Sequence, residues 1–260
     1  MLHVPKDETT EGRRGVGPLI PPLSDTLRPL RQQVFERVRA AGLIPRVQVA
    51  KDLGVSPASV TTITSELIEA GLIEEVAAPR EGDAGRGRPA VALGVRAQAH
   101  YVAGMKLSDR EHTAVIVDFA GNLVANDVIP RDPGSLALPE LIDAVETLLG
   151  RVCAKGGIER AALSAVGIGV PGFVDVAEGM VLWSSVLSAR MVPLAAAVSA
   201  RIGLPVSIDN DANLVALAEL WFGAGRGLSD FAVVTIEHGV GMGFVMNHRI
   251  YRGAQRLGME

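Results

Sequence analysis

Apolar residues recur at helical spacing in three short stretches near the start of the chain. Leu30, Val34, Val38 and Ala41 predict an amphipathic helix over 27–41, and a second helix is predicted near 46–53. In the third, near 57–70, Val60, Ile63 and Leu67 fall at i, i+3 and i+7 and predict one buried face. Gly54 supplies a turn before it, Ser56 can cap it, and Pro57 takes its first position, where a missing N–H is harmless. Gly71 ends it. Leu72-Ile73 and Ala90-Val91-Ala92-Leu93 then flank a Gly-rich, charged connection over 82–89 and predict a two-stranded hairpin. The first 24 residues, with Pro5, Pro18, Pro21 and Pro22, read as a flexible leader.

From about Tyr101 the texture changes. Three β-like runs, 101–107, 112–119 and 122–129, carry a turn at Ala120-Gly121-Asn122 between the second and third. Leu141, Ile142, Val145, Leu148, Leu149 and Val152 predict a helix over 138–154. A buried strand is predicted in 165–176, a helix over 194–202, a strand at 205–209 and a helix over 213–222. Strands at 231–237 and 243–247 follow. Strand-rich blocks alternating with helices imply an α/β fold with a mixed sheet. Gly167-Ile-Gly-Val-Pro-Gly172 matches G-x-G-x-x-G in form only. A dinucleotide site needs a helix to begin there, whereas Pro171 and Phe173-Val174-Asp175-Val176 continue extended.

The order helix, helix, tight turn, helix, hairpin is that of a winged helix-turn-helix, here spanning 25–96. The outer face of its third helix presents Ser59, Thr61, Thr62 and Ser65, short hydroxyl side chains that suit close approach to a DNA groove. Arg46, Ser56, Arg86 and Arg88 complete the candidate DNA-contacting set. The last two lie between glycines and before Pro89, where they suit a minor groove or a phosphate. Two plainer readings stand beside these: a helical hairpin with a merely polar outer face, and a solvated Gly-rich loop.

Charge distribution favours the first reading more than the totals do. The whole chain carries −4, but residues 1–96 carry +1 and the remainder −5. Within 28–51 stand Arg28, Arg31, Arg37, Arg39, Arg46 and Lys51 against Glu36 alone, a basic patch of the kind phosphate contacts require. No window approaches the roughly 20 apolar residues of a membrane span. The start of the chain lacks the apolar segment of a signal peptide. Cys153 is the lone cysteine, sits in an apolar helical run and reads as packing, with neither disulfide nor metal cluster in prospect. These features predict a cytoplasmic protein without a metal or other cofactor. The Ser, His and Cys residues show no spacing suggestive of a nucleophilic triad.

Four pieces together resemble the ROK family, which groups sugar kinases with sugar-responsive transcriptional repressors. They are the winged-helix sequence, 167–175 (GIGVPGFVD), 208–220 (IDNDANLVALAEL) and 237–260 (EHGVGMGFVMNHRIYRGAQRLGME). The likeness covers about 27–260 and is most specific in the third piece. It implies a ribonuclease-H-like, actin/hexokinase-type α/β core over 97–260, preceded by the winged helix. Family members normally continue past Glu260 with a His, a cysteine-rich zinc segment and the rest of the core. On the resemblance the core is therefore incomplete at the C-terminus, and the chain reads as a fragment or a truncated product.

The resemblance also assigns candidate residues. Asp211 matches the family's catalytic Asp, general base toward a sugar hydroxyl in a kinase. Asn210 beside it and Glu260 are further sugar contacts, and the plain alternative for Asp211 is a helix N-cap. Where the family often offers Asn-Leu to a sugar hydroxyl, this chain has Val186-Leu187. The kinase pattern G-x-D-x-G-G-T reads Gly104-Met-Lys106-Leu-Ser108-Asp109-Arg110 here, with Lys106 in place of Asp and neither following glycine present. The second phosphate loop reads Glu237-His238-Gly239-Val-Gly241-Met-Gly243, its Thr replaced by His238. Asp109 would also set negative charge against phosphate. The implied function is a DNA-binding transcriptional repressor, a homodimer or higher homo-oligomer, with operator DNA and a sugar or sugar phosphate as partners. An ATP-dependent sugar kinase with a DNA-binding arm, and a truncated relative that binds DNA without an effector, are the alternatives.

Overall fold

The computed structural model describes residues 15–20, 28–77, 91–236 and 239–253. They fall into two units, the first ending at Arg96 and the second starting at Ala97 and also taking in Ile20.

In the first unit the chain runs α1 (Leu30–Ala41), β1 (Leu43–Ile44), α2 (Arg46–Leu53), α3 (Pro57–Glu69), β2 (Ile73–Ala77) and β3 (Val91–Val95). The three strands form an antiparallel sheet in the order β1-β3-β2. β1 escapes the hydropathy pattern because two residues are too few to show a period. Gly54 ends α2 at φ 65°, a left-handed conformation that costs glycine little. Ser56 caps α3, its hydroxyl accepting the Ser59 N–H at 3.1 Å. The buried face of α3 is Val60, Thr64 and Leu67, with Ile63 only half-buried. Val60 and Leu67 are thus buried as the apolar pattern predicts, while the middle position of the stripe is Thr64 rather than Ile63. A threonine can sit there because its hydroxyl is satisfied on both sides. It donates to the Thr61 carbonyl at 3.1 Å and accepts from Arg46 Nε at 2.9 Å. Val34, Val38, Ile73 and Leu93 complete the core, each fully buried side chain stabilising by about 1.5–3 kcal/mol.

The flexible-leader reading needs correction at residues 15–17. Val16 is buried and its N–H donates to the Arg39 carbonyl at 2.9 Å. A Cβ on Gly15 would lie 1.9 Å from the Ala40 carbonyl oxygen. This stretch packs against the last turn of α1.

The second unit opens with an antiparallel meander, β4 (Tyr101–Leu107), β5 (Glu111–Asp118) and β6 (Leu123–Pro130). Then come α4 (Leu138–Gly156), β7 (Leu163–Val170), the hairpin β8 (Phe173–Asp175) and β9 (Met180–Trp183), α5 (Leu194–Ile202) and β10 (Val206–Asn210). Five strands form a mixed sheet, β10-β7-β4-β5-β6, in which β10, β7 and β4 are parallel. One face packs on α4 and α5 through a core that includes Met105, Ile116, Leu148, Ile168 and Val198. Buried Cys153 belongs to this core, where burial pushes its thiol pKa up. No helix starts after Gly167, as the extended reading of 167–176 requires. Finally α6 (Asp211–Phe222) leads to a second antiparallel sheet, β11 (Phe231–Ile236), β12 (Val240–Met246) and β13 (Arg249–Tyr251). No helix among the described residues is long and apolar enough to cross a membrane.

Candidate functional site

In the first unit, α2, the Gly54 turn and α3 present a polar outer surface. Ser56, Thr61, Thr62 and Ser65 are exposed and Ser59 half-exposed. Thr61 and Thr62 donate their hydroxyl protons to the Pro57 and Ala58 carbonyls at 2.9 and 3.2 Å, and Ser65 donates to Thr61 at 2.9 Å. The hydroxyl side chains run from Ser56 to Ser65, while Glu66 and Glu69 occupy the last turn of α3. Arg86 and Arg88 lie outside the described residues; β2 and β3, which lead to them, pair from Ile73↔Val95 to Ala77↔Val91.

The basic patch is less open than the count over 28–51 implies. Folding brings Asp52 to Arg37 at 2.6 Å and Glu75 to Arg46 at 2.7 Å, and Arg28 meets Glu36 at 2.7 Å. Arg39 lies 5.8 Å from the Phe35 ring centroid, and desolvation lowers its pKa. Arg31 and Lys51 remain exposed. Arg46 is accordingly engaged within its own unit, bridging Thr64 of α3 and Glu75 of β2, so it fixes the helix pair rather than standing ready for phosphate.

In the second unit the parallel strands deliver three loops to one edge. Ser108 follows β4, Pro171-Gly172 follow β7, and Asn210-Asp211 join β10 to α6. Carboxyl ends of parallel strands are where open α/β sheets bind ligands. Asn210 caps α6, its Oδ1 accepting the Ala212 and Asn213 N–H groups at 2.9 and 3.3 Å, and its Nδ2 donates to the Gly172 carbonyl at 2.9 Å. The cap is therefore Asn210 and not Asp211, which is the first residue of the helix and half-exposed. Asn210 itself is 3% exposed. Expected as a sugar contact, it is instead committed to holding the strand–helix junction together. Gly172, at φ 110°, lets the end of β9 pack directly against it, since a Cβ there would sit 2.2 Å from the Trp183 carbonyl oxygen. Glu260 lies outside the described residues.

Glycines of β7 and of the second phosphate-loop segment have a packing role. A Cβ at Gly169 would lie 2.8 Å from Leu214 Cδ1, and one at Gly243 would lie 2.6 Å from the Ala212 carbonyl oxygen. At Gly241 it would fall 3.0 Å from Ala212 Cβ. The first turns of α6 thus lie between β7 and β12, close enough to β12 that Gly243 leaves no room for a side chain. The β4–β5 turn closes on itself: Ser108 Oγ donates to the Glu111 carbonyl at 2.6 Å and Arg131 donates to the Ser108 carbonyl at 3.2 Å. Glu237 and His238 lie outside the described residues. Among the described residues no group of three or more His, Cys, Asp or Glu side chains stands together where a metal ion could be held.

Three features were missed from sequence. Asp209, buried at the end of β10, accepts from the Asn210 N–H at 2.8 Å, from Asn213 Nδ2 at 3.1 Å and from the Arg252 guanidinium. Buried His112 accepts the Ser108 N–H at 3.3 Å through Nδ1, and burial followed by the Arg131 charge lowers its pKa to about 4. Phe173 and Trp183 form an exposed aromatic pair, ring centroids 6.0 Å apart, directly after Gly172. Val186 and Leu187, in place of the family's Asn-Leu, are buried apolar packing. Asp209 was findable as a carboxylate inside an otherwise apolar strand; the partners that give it a role come from residue 252, beyond any local pattern.

Comparisons with known proteins agree with this geometry. The ROK family pattern matches residues 103–259. A xylose repressor of Caldicellulosiruptor bescii is 31% identical over 216 residues, covering 82% of this chain and 52% of its own. The crystal structure of a ROK family transcriptional regulator, a homolog of the Escherichia coli MLC protein, superposes with a TM-score of 0.69 at 28% identity. That likeness spans 88% of this chain and 57% of the other. A ROK family glucokinase from Streptomyces griseus, solved with glucose and AMPPNP, gives 0.54 at 30% identity over 61% and 48% of the two chains. The chain spans about half the length of the curated relatives it matches. The second unit is thus a sugar-kinase-like α/β core, its family pattern spans more than half of the sequence, and the chain belongs to the ROK family.

Proposed function

We propose that the chain is the DNA-reading and sugar-sensing portion of a transcriptional repressor of sugar-utilisation genes. One observation carries this reading: likeness to the regulator structure extends over 88% of the chain, whereas likeness to the glucokinase stops at 61%. A share of 88% is more than the second unit alone can supply, which supports a likeness that reaches into the first. On this reading that unit is a winged helix-turn-helix. The outer face of α3, with Ser56, Ser59, Thr61, Thr62 and Ser65, enters the major groove, and Arg86 and Arg88 grip the backbone or minor groove. The second unit is a ribonuclease-H-like core, and Asp211, with Glu260, accepts hydrogen bonds from a sugar or sugar phosphate. Two copies reading two half-sites, in the cytoplasm, complete the proposal.

Band-shift titration of the protein's own upstream DNA at low salt tests it. Binding should be abolished by raised salt and weakened about tenfold by S59A/T62A. Failure of the unsubstituted protein to bind that DNA sinks the reading. A sugar kinase remains the alternative because Asp211 is half-exposed at the strand edge and the glucokinase shares this core. Against it stand Lys106, Ser108 and Asp109 in the first phosphate loop. ATP-dependent phosphorylation of a hexose panel, lost in D211N, would reinstate it.

A further inference from the structure

The junction that carries Asp211 is held by more than its own turn. Asp209 takes the Asn210 N–H and Asn213 Nδ2 on Oδ1, and meets the Arg252 guanidinium on Oδ2. Asn210 in turn binds two α6 amides and the Gly172 carbonyl. A continuous chain of hydrogen bonds therefore runs from the end of β7, through the β10–α6 junction, to the residue that follows β13. Its far end belongs to the second sheet. Arg252 is a costly way to fill that position. Its Nε is buried without an acceptor among the described residues, and its partner Asp209 carries a side chain only 8% exposed. Pairs of this kind rarely raise stability over an apolar filling, so their retention is better explained by what they fix in place.

We infer that Arg252, acting through Asp209, is the positioning residue for Asp211; the link to a sugar rests on the reading proposed above. The charge on Arg252 holds the Asp209 carboxylate with Oδ1 toward Asn210 and Asn213. That orientation pins the first turn of α6, and the first turn sets where the Asp211 carboxylate stands. Because Arg252 follows β13, any ligand that shifts Asp211 is coupled to the second sheet, and the coupling is reciprocal.

Hydrogen exchange of the α6 amides in R252M, R252K and D209N, together with calorimetric titration of D-glucose and D-xylose, tests the inference. In R252M the Ala212 and Asn213 amides should exchange about tenfold faster, with α4 amides unchanged. R252K should restore part of the protection, which a mere loss of packing would not allow. Sugar affinity, where the unsubstituted protein shows it, should fall in parallel. Unchanged exchange at Ala212 and Asn213 in R252M overturns the inference. Faster exchange there in a protein that binds neither sugar upholds the positioning role and removes the sugar reading instead. Should R252M fail to fold, D209N decides on the same amides, since it removes the charge while keeping an acceptor for the Asn210 N–H.

Discussion

His112 shows how much one buried side chain can weigh. Its imidazole accepts the Ser108 N–H, so the neutral form closes the β4–β5 turn and the protonated form cannot. The folded pKa of about 4 lies below the ordinary 6.5. Its contribution is therefore complete above pH 6.5 and is lost as pH falls toward 4. The loss reaches about 3 kcal/mol near pH 4. Urea midpoints measured from pH 7.5 to 4 should show this slope, and H112N should flatten it. Thr64 is a second case. T64V keeps the shape but leaves Arg46 Nε without its acceptor inside the unit, and should destabilise by about 1–2 kcal/mol in chemical denaturation. Neither role was legible in sequence. A histidine in a strand and a threonine in a helix acquire their partners only when residues 18 or more positions away, or across a turn, are folded against them.

At the scale of elements the sequence was more informative, because period and punctuation are local. Val60 and Leu67, Gly54 and Ser56 announced α3 and its ends, and the runs from Tyr101 onward announced β4 to β6. Polar partnerships were less legible: Asp52 and Glu75 reach Arg37 and Arg46 only through the packing of α1, α2, α3 and β2, so the linear charge count overstated the patch. The β8–β9 hairpin is an element whose use was missed. It holds Phe173 and Trp183 side by side at the solvent edge, one residue from the Gly172 carbonyl that binds Asn210. Aromatic faces offer a sugar ring an apolar surface beside hydrogen-bonding groups. On the function proposed above, W183A should weaken sugar binding severalfold in calorimetry, and W183F, which keeps a ring beside Phe173, should weaken it less.

At the scale of the molecule, the apolar surface that the second sheet leaves exposed among the described residues is the main liability. Val234, Ile236 and Val240 are exposed, and the register sets Ile236 opposite Val240 and Val234 opposite Met242. The other face of that sheet packs on α6 through Ala216, Leu220 and Val245. An apolar strand at a sheet edge invites pairing with other chains. V234K/I236K should lower the aggregate fraction in light scattering without changing α6 exchange, because both positions face away from the helix. The close fit at Gly243 has a different consequence. Gly243 leaves the α6 backbone no slack, a Cβ there falling 2.6 Å from the Ala212 carbonyl oxygen and 2.7 Å from Ala216 Cβ, so added side-chain volume must be taken up as movement of the helix and of Asp211 with it. For a regulator this makes the position a dial. On the function proposed above, alanine, serine and valine at position 243 form a graded series that should shift the inducer concentration at half-response step by step, giving biosensor variants of different threshold without altering the operator.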